Sequence, residues 1–144
     1  MSESSLARAT TTIDAPITRV WDALINPDMI KRYMFGTNAK STWQPGSPIR
    51  WTGEWQGRAY EDKGTILDVQ PGKLLRFTYF SSFSGLPDTP DNYYTVTITL
   101  SEESSTTRIS LTQDNNPTDE ARQHNEENWG MVLTTLKKLL EGAA

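Results

Sequence analysis

Two stretches late in the chain set the pattern. From Tyr93 to Leu100, Tyr94, Val96, Ile98 and Leu100 alternate with Tyr93, Thr95, Thr97 and Thr99; from Thr107 to Asp114, Ile109, Leu111 and Gln113 alternate with Arg108, Ser110 and Thr112. A period of two turns one set toward a core and the other toward water, as in antiparallel strands. Upstream, short β-branched and aromatic runs broken by Gly, Pro, Asp and Asn predict strands at Ile49 to Trp55, Tyr60 to Val69 and Leu74 to Ser81. The threonine-rich Leu6 to Ile13 predicts a first strand. Leu75, Phe77 and Tyr79 form the inward set of the Leu74 to Ser81 strand. Ile66 and Leu67 are both apolar, so the pattern leaves the inward face of the Tyr60 to Val69 strand open.

Elsewhere the spacing is helical. Val20, Trp21 and Leu24 follow Asp14-Ala15-Pro16, where Asp can accept from free amides and Pro fits the first turn. Asn26-Pro27-Asp28 interrupts that run before Met29, Ile30, Tyr33 and Met34 resume it, which predicts two short helices. A last helix of about seven turns is predicted from near Asn116-Pro117-Thr118 to Gly142. Asp119 and Glu120 at its start and Lys137 and Lys138 near its end match the helix dipole. Trp129, Val132, Leu133, Leu136 and Leu140 form one apolar stripe, expected to face the sheet. No repeat or linker divides residues 1 to 144, so the expectation is one α+β domain.

Composition narrows the partners. The 144 residues carry a formal net charge of −4 with no basic run, which argues against nucleic acid or an anionic membrane as the main partner. Cysteine is absent, so thiolate catalysis, disulfides and zinc-thiolate sites are excluded. No stretch approaches the roughly 18 apolar residues of a membrane span, and the N-terminal MSESSLARATTTID lacks a signal-peptide apolar core, so a cytoplasmic location is expected.

Projected back along the last helix, Arg122 and Asn125 lie within roughly 40° of the stripe's centre. Polar groups there need partners, which a sheet carboxylate, ordered water or the polar end of a ligand can each supply. An Arg that reaches solvent with a satisfied Asn behind it is the alternative. His124, the only histidine, falls about 120° from the stripe and is expected to be exposed. Glu54, Glu61 and Asp62 cluster around a hairpin and read as solvated carboxylates rather than an acid and base pair. No phosphate-binding loop, metal-ligand spacing or nucleophile motif is present, so neither catalytic residues, metal nor cofactor is assigned.

Several motifs carry a family resemblance. Ile13-Asp14-Ala15-Pro16 through Val20-Trp21-Asp22-Ala23-Leu24, Gly64-Thr65-Ile66 with Pro71-Gly72-Lys73-Leu74-Leu75, the hairpin Val96 to Thr112, and Asn128-Trp129-Gly130 resemble the birch-pollen-allergen-like, START-related superfamily (SRPBCC). Within it they resemble the branch named after the activator of the ATPase of heat-shock protein ninety. That branch more often reads Gly-Trp where this chain has Asn128-Trp129-Gly130, so no role of that glycine carries over. The resemblance implies a helix-grip fold, with a curved antiparallel sheet of six to seven strands around the long helix. It also implies an apolar cavity between them; relatives include lipid and hormone carriers, polyketide cyclases and cochaperone domains.

On this reading the chain is expected to bind an apolar or aromatic small molecule. Trp51, Trp55, Phe77, Tyr79, Tyr94, Trp129 and Leu133 would wall the cavity, with Gln113, Arg122 and Asn125 orienting the ligand. A cyclase-like enzyme and a chaperone-interacting module are the alternatives, and oligomeric state is left open. The segment Ser81 to Asn92, with Phe83, Leu86 and two prolines, is too long for a tight hairpin and reads as a lid. If the Trp129 ring is core, Trp129→Ala should cost roughly 3 to 5 kcal/mol in denaturant unfolding, and a loss below about 1 kcal/mol would place the helix face wrongly.

Overall fold

The computed structural model describes residues 6–81 and 85–141, with the side chain of Trp55 excepted. Seven antiparallel strands form one sheet, β1 (Ala7–Ile13), β2 (Asn38–Ser41), β3 (Pro48–Trp55), β4 (Arg58–Gln70), β5 (Leu74–Tyr79), β6 (Tyr94–Glu103) and β7 (Thr106–Gln113). Their order is β1-β7-β6-β5-β4-β3-β2, a meander whose first strand crosses to the far edge to pair with the last. The helices α1 (Ile17–Ile25) and α2 (Pro27–Tyr33) follow β1, and α3 (Asp119–Glu141) packs across the sheet. This is the expected helix-grip architecture. No helix among the described residues is long and apolar enough to cross a membrane.

The alternating residues lie as their period requires. Val96, Ile98, Leu100, Ile109, Leu111, Leu75 and Phe77 are buried, as are Val132, Leu133, Leu136 and Leu140 of α3. In β4 the open choice resolves toward Ile66, which is fully buried, while Leu67 is exposed and a register shift lies between Ile66 and Asp68. Four-residue β2 escapes the pattern because Ala39 is its only apolar residue, too little for a period to show.

The helix starts differ from one another. Asn26 accepts from the Asp28 amide (3.0 Å) and Pro27 opens α2, as the sequence suggests. Thr118 Oγ1 accepts from the Ala121 amide (3.0 Å) ahead of α3. At α1 the expected Asp14 cap is absent: Pro16 holds the cap position with no side-chain bond. The Asp14 amide instead donates to Glu141 Oε2 (2.7 Å), which draws the residue away toward α3.

That bond belongs to a clamp on the edge strand. The Arg8 amide donates to Glu126 Oε2 (3.1 Å), and Lys137 Nζ donates to the Thr12 carbonyl (2.5 Å). Residues 126 to 141 span about 22 Å of helix and residues 8 to 14 about 20 Å of strand, so the two run side by side in step. Outward-facing N–H and C=O groups of an edge strand are otherwise free to pair with another chain. Here three α3 side chains occupy them.

The sheet bends at Gly64. The first half of β4 pairs with β3, from Trp55↔Arg58 to Pro48↔Thr65, and the second half with β5 from Ile66↔Phe77 on, while Lys63 also bridges Phe80 just past β5. Between the halves β5 passes so close that a Cβ on Gly64 would sit 1.7 Å from the Thr78 carbonyl oxygen. Such an overlap with backbone cannot be relieved by a rotamer change. Gly64→Ala should therefore destabilise the protein by about 3 kcal/mol or more in urea unfolding, whereas Gly130→Ala, which meets nothing within 4 Å, should not.

Candidate functional site

A cavity of about 770 Å³ lies between the concave face of the sheet and α3, closed at one side by α1 and α2. Its deeper strand rows are apolar, with Ile49, Leu75, Phe77, Ile98, Ile109 and Leu111 from the sheet. Trp129, Val132, Leu133 and Leu136 descend from α3, and Leu24, Ile30, Tyr33 and Met34 complete the wall. Toward the strand ends near the β7 to α3 connection the lining changes to Asp62, Tyr79, Tyr94 and Gln113. The resulting contrast of an apolar body and a few convergent polar groups is the usual make-up of a small-molecule site.

The aromatic residues form a contact chain. Trp51 lies 5.3 Å from Phe77 and 5.2 Å from Tyr79 between ring centroids, and Tyr79 lies 6.2 Å from Tyr94. Trp51 is the direct register partner of Asp62, so both point to the cavity face. Asp62 is only 8% exposed, and its Oδ2 accepts from the Tyr79 hydroxyl at 2.8 Å. Burial raises the Tyr79 pKa well above the usual phenol value, and the Asp62 carboxylate adds to the rise through its charge and its hydrogen bond. Burial alone likewise raises Tyr33, whose hydroxyl donates to the Ala23 carbonyl (2.9 Å). Beside Asp62 in β4, the Tyr60 hydroxyl shares a 2.6 Å hydrogen bond with Thr37.

A second polar group ties α3 to β7. Gln113 is buried, and its Oε1 accepts from Trp129 Nε1 at 2.5 Å. The Gln113 carbonyl accepts from Asn116 Nδ2 (2.9 Å), and Asn116 Oδ1 accepts from Asn125 Nδ2 (2.6 Å). Much of the hydrogen-bonding capacity of Gln113 and Asn125 is therefore spent within the protein, fixing the start of α3 over the cavity.

Of the expected site residues, Trp51, Phe77, Tyr79, Tyr94, Gln113, Asn125, Trp129 and Leu133 all line the cavity. The side chain of Trp55 lies outside the described residues. Arg122 is not part of the lining: its Nη1 pairs with Glu126 Oε1 (3.0 Å), the same carboxylate that accepts from the Arg8 amide on β1. The Arg122 Cα lies on the inward arc, but the carboxylate one turn on, itself bonded to β1, holds the guanidinium toward the edge strand. His124 is exposed, as expected, yet it stands on the cavity rim together with Glu54 and Asn128. Asp62 is the residue that sequence reasoning misjudged, since it is buried rather than solvated. Its signal lay in the period: Tyr60, Asp62 and Gly64 share the face of Ile66, and once Ile66 is known to be inward Asp62 follows.

The expected lid is only partly visible. Residues 82–84 lie outside the described residues, Ser81 lines the cavity, and residues 85–92 do not. Asp88 pairs with Lys63 and accepts from the Tyr93 hydroxyl (2.6 Å), and Asn115 Nδ2 donates to the Asp91 carbonyl (2.9 Å), so this part of the segment is pinned against the sheet. At the mouth, Phe35 is 60% exposed with φ 56°, an uncommon conformation for a residue with a side chain. Among the described residues no three His, Asp or Glu side chains converge as a metal site.

Comparison with known proteins agrees with this architecture. The family model described as Activator of Hsp90 ATPase homolog 1-like protein matches residues 14–141. The chain belongs to that family. It is similar to a protein from Cytophaga hutchinsonii whose solution structure shares 49% identity, with a TM-score of 0.86 over 99% of this chain and 98% of the other. A crystal structure of a protein from Chromobacterium violaceum matches at 23% identity and TM-score 0.77, covering 95% and 97% of the two chains. The Aha1 dimer from Colwellia psychrerythraea, solved in solution, matches at 18% identity and TM-score 0.71 over 94% and 96%. The last two likenesses concern the fold alone. No match was found among proteins with curated descriptions.

Within this member of the Hsp90 activator-like family, the two buried phenols set an alkaline limit. Both hold their protons more tightly folded than unfolded, where the ordinary value of 10.0 applies. The unfolded chain then binds fewer protons above about pH 10, so stability falls as pH rises, by about 1.4 kcal/mol per pH unit for each such group. Tyr79→Phe should remove one proton's share of that slope in urea melts taken across the alkaline range. An unchanged slope would show that the Tyr79 ring ionises freely in the folded protein.

Proposed function

We propose that the chain binds an apolar or aromatic small molecule in the cavity between sheet and α3. The observation that carries this reading is a space of about 770 Å³ whose deep rows are apolar while its polar groups gather toward one end. Such a site buries a greasy body and sets its orientation through a few hydrogen bonds. Trp51, Phe77, Tyr79, Tyr94, Trp129 and Leu133 supply the walls; Asp62, Gln113 and Asn125 supply the polar end. Arg122 takes no part, because its guanidinium serves the edge clamp.

A second reading, an enzyme like the polyketide-cyclase relatives of the superfamily, is favoured by the Tyr79 and Asp62 pair inside the cavity. The Tyr79 hydroxyl gives its one proton to Asp62, so the carboxylate is the member of the pair left to take a proton from a substrate. The family description carries the chaperone-interacting reading, and the geometry of the cavity adds nothing to it.

Titration with the neutral dye Nile red tests the binding reading. A saturable fluorescence rise with one site per chain is expected, and Asn128→Trp, which places a ring at the exposed rim, should weaken it at least about tenfold without lowering thermal stability. A linear, non-saturating signal that Asn128→Trp leaves unchanged would overturn the reading.

A further inference from the structure

The charges around the cavity are sorted by sign. Asp62, a buried carboxylate, lines it, and Glu54 stands on its rim. No Lys or Arg lines it among the described residues. Of the cations of the same hairpin, Arg50, paired with Glu61 (2.7 Å) in the open, and Lys63, paired with Asp88, are turned to the other face, while Arg58 at the hairpin's tip shares the strand face of Asp62 but does not line the cavity. Strand alternation enforces the division, because Arg50 and Lys63 are register partners next to Trp51 and Asp62. The one arginine on the roof helix with a chance of facing inward, Arg122, is drawn to Glu126.

Ligands of opposite charge therefore meet different surroundings. A carboxylate or phosphate entering the cavity would approach Asp62 with no basic side chain in the wall to offset the repulsion, inside a space where water screens poorly. A cation would meet the opposite. Asp62 supplies the counter-charge, the Tyr79 hydroxyl at 2.8 Å steadies that carboxylate, and the rings of Trp51 and Tyr79, 5.2 Å apart, offer negative π faces nearby. Beyond them the apolar rows accept a hydrocarbon body.

Resting on the binding reading above, we propose that the cavity selects an apolar or aromatic molecule bearing a protonated amine, with the ammonium seated on Asp62 beside Trp51 and Tyr79. The sequence leaves the charge of the ligand open. The structure sets it by pairing Arg122 with Glu126 and turning Asp62 into the cavity.

Three probes that share a ring and differ in one group test this at pH 7: naphthylmethylamine, naphthylmethanol and naphthoic acid, with affinities measured by calorimetry or by displacement of Nile red. The amine should bind at least about tenfold more tightly than the alcohol, and the acid most weakly. Asp62→Asn should bring the amine to the level of the alcohol. Glu61→Gln, the same loss of charge on the outer face, should keep the preference intact. Equal binding of amine and alcohol, tightest binding of the acid, or a preference that survives Asp62→Asn would each overturn the charge assignment and leave the cavity reading standing. Failure of Nile red and all three probes would overturn both. Should Asp62→Asn fail to fold, the ranking of the three probes by the unaltered protein decides the matter.

Discussion

The close passage of β5 over Gly64 is the contact on which the rest of the molecule depends. One strand, β4, has to serve two neighbours in turn, and it does so by bending where a side chain is missing. Trp51 and Asp62, register partners across β3 and β4, both line the cavity. A straight sheet would let the helix settle flat on it, as close packing favours, and the interior would fill with side chains.

The helix, for its part, divides its length between two tasks. Its last four turns bury Val132, Leu133, Leu136 and Leu140 as ordinary core, and side chains at Glu126, Lys137 and Glu141 cover the backbone of β1. Its first turns stay above the sheet, held by the hydrogen bonds through Gln113, Asn116, Asn125 and Trp129. The polar side chains near the start of α3 are thus mostly structural in their bonding, although several of them face the cavity. Charge selection falls to the hairpin opposite.

The fold was legible because its long-range demands coincide with local periods. The alternation in β6 and β7, the stripe on α3 and the Asn26-Pro27-Asp28 break each read correctly in isolation. The walls of the site were legible for the same reason, as inward residues of strands already assigned. What escaped depends on contacts between residues distant in sequence. Arg122 was placed by the angle of its Cα, but its direction is set by Glu126, which is in turn held by Arg8 on another element. Asp62 looked like one more hairpin carboxylate because the phase of β4 hung on two adjacent apolar residues, and only the bend decides between them. The Asp14 cap failed because α1 begins later, with Pro16 rather than Asp14 at the cap position.

The crossing of β1 to the far edge has a bearing on how the protein is made. Ala7 pairs with Gln113 and Ile13 with Thr107, about a hundred residues apart, so β1 leaves a ribosome well before its neighbour does. Until β7 and α3 emerge, the nascent sheet lacks an edge and has no roof, and its greasy concave rows stand open to water. The cavity is walled and roofed only once β7 and α3 have joined the earlier strands.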